Sequence, residues 1–324
     1  MGKAIRIHAH GGPEVLSYED VATPEPKAGE VLVRQRAVGV NFIDVYFRTG
    51  LYAAPSMPFT PGNEAAGEVV AVGDGVTEFK PGDRVAYAMR IGSYAEERAI
   101  DAAALVKIPD GVDDETAAAM MLKGLTAQYL LRRTFPVKPG HTVLIHAAAG
   151  GVGLIVSQWA KHLGATVIGT VGTRDKETLA REAGCDHVIR YREEDFAARV
   201  KEITKGELCD VVYDGVGKAT FPASLDCIKP LGMFASFGSA SGPVDAFNIG
   251  ILAQKGSLFA TRPTLATYTM KREWLLDMAA DLFAVVAGGH VKIPVHSRVP
   301  LANAADAHRA LEGRETTGAT VLIP

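Results

Sequence analysis

The chain has 324 residues, enough for a full hydrophobic core and for two domains. Hydrophobic residues make up 48% and charged residues 22%, with a formal net charge of -3, which argues against a disordered chain and against a strongly basic nucleic-acid-binding surface. The three cysteines, Cys185, Cys209 and Cys227, lack metal-type spacing and cannot build a disulfide framework, as suits a reducing interior.

No apolar run reaches the roughly 20 residues of a membrane span. The opening "MGKAIRIHAHGGPE" lacks the apolar core of a signal peptide, and Gly2 is not followed by the Ser or Thr expected for myristoylation. Cytoplasm is therefore the expected address. As far as about residue 120, short β runs are cut by Gly and Pro. "EVLVRQRAVGV" alternates apolar and polar residues, and "AAGEVVAVGDGV" followed by "KPGDRVAYA" reads as strands joined by tight turns. From about residue 124 apolar strands alternate with helices. The strands are expected at 142–147, 165–171, 187–191, 210–216 and 232–238. This spacing predicts right-handed β-α-β units on a parallel sheet. In the helix after the first of these strands, Val152, Ile155, Val156, Trp159, Ala160 and Leu163 form one apolar stripe. Past residue 263 the character is mixed again, and "GATVLIP" reads as a strand returning to the first domain. The fold class expected is α/β: a β-rich domain plus a doubly wound, Rossmann-type nucleotide domain.

Between the first of the parallel strands and its helix stands "HAAAGGVG". Against the dinucleotide pattern G-x-G-x-x-G, Ala148 takes the first glycine position, Gly150 the second and Gly153 the third. Gly150 and Gly151, with Ala149 before them and Val152 after, would let a pyrophosphate approach the helix N-terminus. Gly153 would let helix and strand pack closely. The alternative is a small-residue turn without a ligand.

A carboxylate at the end of the second strand accepts hydrogen bonds from the ribose of NAD and repels a 2′-phosphate. Here "GTVGTRDK" puts Val171 in that place. Gly172 offers backbone access, Thr173 can cap the next helix, and Lys176 can reach an anion. Basic residues in a first helical turn oppose the macrodipole at a cost of about 0.3 to 1 kcal/mol unless an anion neutralises them. The expectation is NADPH rather than NADH.

"HAAAGGVGL", "GTVGT", "NFIDVYFRTGLY", "PGNEAAG" and the ending "TTGATVLIP" resemble the zinc-free NADPH:quinone oxidoreductases of the medium-chain dehydrogenase/reductase superfamily, over nearly the whole chain. The resemblance implies a GroES-like catalytic domain of residues 1–122 and 263–324 and a Rossmann domain of residues 123–262. It implies hydride transfer from NADPH to a quinone in the cleft between them. Where zinc-dependent relatives hold catalytic zinc, this chain has Asn41, Asn63 and Glu64, and "MMLKGLT" contains no Cys. One carboxylate does not make a tetrahedral zinc site, so no metal is expected.

Carried over position by position, Asn41, Phe42 and Tyr46 would line the nicotinamide end with Thr126 and Tyr129 nearby. Gly172, Thr173, Lys176, Tyr191 and Arg314 would surround the 2′-phosphate, and Phe237 and Gly238 would lie at the carboxyl end of the fifth strand. Arg314 serves only if the C-terminal segment folds back. Asn41, Tyr46, Tyr52 and Thr126 are the candidates for catalysis, with Tyr46 and Tyr52 as proton donors or as packing. His8, His10 and His146 have no carboxylate partner evident from spacing and read as ordinary. A rival reading is an NADPH-dependent enone or enoyl-thioester reductase using Tyr52. A second rival is a non-catalytic, RNA-binding or crystallin-like role, against which the acidic balance argues; no nucleic-acid or membrane partner is expected. The resemblance also implies a homodimer through the edge strand at 256–263.

Overall fold

The computed structural model describes residues 1–313 and 316–324. The chain opens with an antiparallel hairpin, β1 (Gly2–Arg6) and β2 (Ser17–Val21). The alternating stretch then becomes β3 (Glu30–Gly39), whose Val31, Val33 and Val38 are buried while Arg34 and Arg36 face solvent. A short helix, α1 (Phe42–Thr49), follows, and ends at Gly50 in the left-handed conformation. Next come β4 (Glu64–Val72), β5 (Arg84–Ala88), β6 (Glu97–Asp101) and β7 (Val106–Lys107). β3 pairs with β4 and β6, β4 with β5 and β5 with β7, all antiparallel. Helix α2 (Asp114–Tyr129) starts where the Asp113 carboxylate accepts the Thr116 N–H at 2.7 Å. It buries Ala117 to Met121 and Leu125, so it is apolar on several sides and lacks a polar face to mark its period.

From β8 (Thr142–Ile145) the chain alternates as expected: α3 (Gly151–His162), β9 (Thr166–Val171), α4 (Arg174–Glu182), β10 (His187–Arg190), α5 (Phe196–Ile203), β11 (Cys209–Asp214), β12 (Ile228–Ser236), α6 (Gly250–Gln254) and β13 (Phe259–Thr261). The six strands are parallel in the order β10-β9-β8-β11-β12-β13. Numbered within this sheet the order is 3-2-1-4-5-6, the doubly wound dinucleotide-binding arrangement, in which ligands sit at the carboxyl ends of the strands. Leu144, Ile168, Ile189, Val212 and Phe234 form its core. The stripe on α3 is buried at Ile155, Val156, Trp159 and Ala160. All three cysteines are buried within this part of the chain.

Four strands, β8, β10, β11 and β12, stop short of their expected ends, and for β8 and β11 the reason is local. β8 ends at Ile145 because Ala147 turns into the left-handed region at φ 55. β11 ends at Asp214 because its carboxylate accepts the N–H groups of Val216 (2.7 Å) and Gly217 (3.0 Å), which closes the turn.

The chain continues through α7 (Leu265–Tyr268), α8 (Arg272–Ala287), β14 (Val295–Pro300), α9 (Ala304–Glu312) and β15 (Ala319–Ile323). β15 pairs with β3 and with β14, so "GATVLIP" completes the sheet begun near the N-terminus. Two compact units result: Met1–Leu125 with Met270–Ala287 and Ile293–Pro324, and Thr126–Thr269 with Gly288–Lys292. Among the described residues no helix is long and apolar enough to cross a membrane.

Candidate functional site

In the second unit the turn after β8 is set by backbone bonds. Ala147 O accepts the Gly150 N–H at 2.8 Å, and Gly150 caps α3 in extended conformation. The Leu154 N–H bonds Gly150 O at 2.9 Å, so the N–H groups of Gly151, Val152 and Gly153 precede the first turn of the helical ladder. Those donors and the dipole of α3 suit a diphosphate. Gly153 is required: a Cβ there would lie 2.3 Å from Ala147 O. Ala149 is buried beneath the turn.

One strand over, β9 ends on buried Val171. Thr173 caps α4, its Oγ1 accepting the Lys176 N–H at 3.4 Å. Tyr191, after β10, donates its N–H to Val171 O at 3.1 Å, and its hydroxyl stands 2.9 Å from where a Cβ on Gly172 would be. Gly172, Thr173, Lys176 and Tyr191 are thus neighbours at the carboxyl ends of β9 and β10. Arg192, passed over in the sequence, joins them: its Nε lies 3.4 Å from the same point beside Gly172. The carboxylate of Glu177 is engaged by Arg181 at 2.8 Å and Arg190 at 3.3 Å. Phe237 and Gly238 follow β12 on the same edge of the sheet and donate their N–H groups to Asp214 O at 2.8 and 3.3 Å. Arg314 lies outside the described residues.

The first unit holds a buried polar cluster. Glu64, fully buried, accepts the Asn41 amide at 2.7 Å and the Lys123 ammonium at 2.6 Å on Oε1, and the Leu122 N–H at 2.6 Å on Oε2. Asn41 caps α1, and Asp44 returns a bond by accepting the Asn41 N–H at 2.9 Å. Asp44 also accepts the Asn63 amide at 2.8 Å and the Tyr94 hydroxyl at 3.2 Å. Burial pushes the Asp44 carboxyl up to about 7, with the Glu64 charge adding and the bonds from Asn63 and Asn41 opposing. Phe42 opens α1. Tyr46 and Tyr52 pack edge to face at 5.2 Å, with Phe47 5.7 Å from Tyr52, and Tyr52 is 37% exposed.

Lys123 is the residue that sequence reasoning missed here. A lysine within "AAAMMLKGL" was the available signal, since an ammonium in an apolar helix needs a partner. In the second unit, Thr126 and Tyr129 are buried on the last turns of α2. Tyr129 stacks on Tyr268 at 4.5 Å between centroids, and burial raises its hydroxyl far above its usual range against the Arg262 charge and a hydrogen bond with Thr126. Of the histidines, His8 meets Glu19 at 2.8 Å on the surface, a pairing that spacing did not reveal.

The alcohol dehydrogenase GroES-like domain family matches residues 27–110, and the zinc-binding dehydrogenase family matches residues 151–278. The chain is 54% identical to a quinone oxidoreductase of Pseudomonas aeruginosa, covering 100% of both chains. It is 46% identical to a 2-haloacrylate reductase of a Burkholderia species, covering 100% of this chain and 99% of that one. The crystal structure of Escherichia coli quinone oxidoreductase complexed with NADPH superposes with a TM-score of 0.97 at 49% identity, covering 99% of this chain and 100% of that one. The zinc implied by one family description does not fit the residues present. Asn41 and Asn63 are amides, the ammonium of Lys123 occupies Glu64, and no group of three His, Cys, Asp or Glu among the described residues is placed to hold a metal ion. NADPH does fit, through the N-terminus of α3, which has no side-chain cap, and the end of β9, where Val171 stands in the place of an acid and Arg192 lies beside Gly172.

Proposed function

The chain belongs to the quinone oxidoreductases of the medium-chain dehydrogenase/reductase superfamily, and from that membership we propose that it reduces quinones with NADPH, using the residues assembled above. NADPH, when bound, supplies a hydride from C4 of its nicotinamide. Ala149, Gly150, Gly151, Val152 and Gly153 hold the diphosphate at the N-terminus of α3. Gly172, Thr173, Lys176 and Tyr191 receive the 2′-phosphate, joined by Arg192, and Phe237 and Gly238 border the same ligand. Asn41, Phe42, Tyr46, Thr126 and Tyr129 serve the reacting end. Glu64 and Lys123 neutralise each other, so the Asn41 amide is held in a fixed orientation beside a pair with no net charge. An electron-poor quinone needs no Lewis acid; orientation and hydrogen bonding are what the protein adds. The catalytic domain comprises residues 1–122 and 263–324 and the NADPH-binding domain residues 123–262. The protein works in the cytoplasm as a homodimer paired through β13.

The observation that supports NADPH over NADH is the end of β9, where buried Val171 stands in the place of an acid. A second reading, reduction of a carbon–carbon double bond beside a carboxyl group, is favoured by the 46% identity to a 2-haloacrylate reductase. Tyr52, partly exposed at 37%, is then the proton donor. Initial rates with NADPH and NADH against 1,4-benzoquinone, a naphthoquinone and 2-chloroacrylate test both. NADPH is expected to exceed NADH at least tenfold in kcat/KM, with the quinones turned over fastest. Equal use of NADH removes the coenzyme assignment, and faster turnover of 2-chloroacrylate replaces the quinone reading with the second one.

A further inference from the structure

Side chains far apart in the chain meet beneath the carboxyl edge of the parallel sheet. His146, the residue after β8, is 2% exposed; its Nδ1 lies 3.0 Å from Thr170 Oγ1 and its Nε2 2.9 Å from Ser224 Oγ. Ser224 Oγ in turn faces Thr220 O at 3.1 Å and Asp214 Oδ2 at 3.5 Å, while Asp214 Oδ2 accepts the Thr220 hydroxyl at 2.7 Å. These contacts assign the tautomer. A carbonyl and a carboxylate only accept, so the single hydrogen of Ser224 is directed at them and its lone pair takes the proton on His146 Nε2. Nδ1 is then the acceptor for the hydroxyl of Thr170. The imidazole is neutral, which agrees with burial holding its pKa below the usual range against the opposing charge of Asp214.

Ser, His and Asp in one network suggest a nucleophile, but the geometry is not that of a hydrolase. Asp214 reaches Ser224 and not the imidazole, and Ser224 and Asp214 are fully buried. What the network joins is more informative. His146 adjoins Ala147, where the turn toward α3 begins, and its N–H bonds Tyr213 O at 3.1 Å across the switch point between β8 and β11. Thr170 is two residues before Gly172, and its carbonyl accepts the Ala148 N–H at 3.0 Å. Asp214 closes the turn at Val216 and Gly217 and receives Phe237 and Gly238 on its carbonyl. One imidazole thus links the diphosphate turn, the end of β9 that faces the 2′-phosphate, and the turn after β11.

We propose that His146 is a positioning residue for NADPH, which keeps the diphosphate turn and the 2′-phosphate end of β9 in register through its bonds to Ser224 and Thr170. This rests on the assignment of the diphosphate to the N-terminus of α3. The test measures binding of 2′,5′-ADP and of NADPH to the purified protein by calorimetry, alongside kcat at saturating NADPH and the thermal midpoint. His146→Leu is expected to weaken both ligands tenfold or more, with the loss in binding exceeding any loss in kcat. A dissociation constant within twofold of the parent, whatever the midpoint does, overturns the proposal, as does a fall confined to kcat. Thr170→Val, nearly isosteric and lacking the donor to Nδ1, keeps the question open to refutation if His146→Leu does not fold: at least threefold weaker 2′,5′-ADP is expected, and unchanged binding overturns the link to β9. Gly150→Asp separates this from the underlying assignment. Its side chain is a good helix cap but sets a carboxylate against the diphosphate. Normal NADPH binding by Gly150→Asp removes the assignment itself; loss there with normal binding by His146→Leu removes only the role of His146.

Discussion

Lys123 is buried to 9% side-chain exposure against a carboxylate with none, and each charge is tolerable only because the other is present. Lys123→Met leaves buried Glu64 without its cation, with only the Asn41 amide and the Leu122 N–H as partners, and is expected to cost about 3–5 kcal/mol in urea unfolding, the range for breaking a buried pair. Adding Glu64→Gln should return a substantial part of that, because neither charge then remains. A single variant as stable as the parent would show that Glu64 does not depend on the lysine. This pair was half legible. Glu64 stood out as the residue left over from a metal site, but its partner is 59 positions further along, and no periodicity connects an edge of β4 to the middle of α2. His146 reads as ordinary in the sequence for a similar reason: its partners Thr170 and Ser224 lie 24 and 78 residues away.

At the scale of elements, the parallel strands were the easiest to read. Strands buried on both faces appear as unbroken apolar runs, and turns and helices separate them regularly. β8 and β11 end two residues before those runs do, where the left-handed turn at Ala147 and the bonds to the Asp214 carboxylate stop the strands. The edge strand β13 carries its own prediction. Among the described residues it pairs only with β12, and Phe259 on it is 59% exposed, with Leu231 at 68% and Ile249 at 75% also exposed in the same unit. An apolar edge of this kind invites a second copy. Light scattering is expected to give twice the chain mass for the parent and the single mass for Phe259→Asp. A parent that is already monomeric, or a variant that stays dimeric, removes β13 as the interface.

At the scale of the whole molecule, the chain leaves its first unit and comes back to it. The composition change near residue 124 marks the departure. The return is written in one strand, β15, whose pairing with β3 spans almost the full length of the sequence. The short segment Gly288–Lys292, which belongs to the second unit, has no sequence signature, because membership there depends on packing and not on pattern.

The burial of all three cysteines has a chemical consequence for an enzyme that handles quinones. A quinone is an electrophile as well as an oxidant: a thiolate adds to its ring and stays there. Burial pushes the Cys185 thiol up to about 11 and the Cys227 thiol up to about 12, and raises Cys209 further still, so the native fold offers its own substrate almost no thiolate to attack. Mass spectrometry after incubation with excess 1,4-benzoquinone should find these residues unarylated in buffer and adducted once urea has opened the fold. Adducts on the folded protein would mean that the chain is consumed by the compounds it reduces.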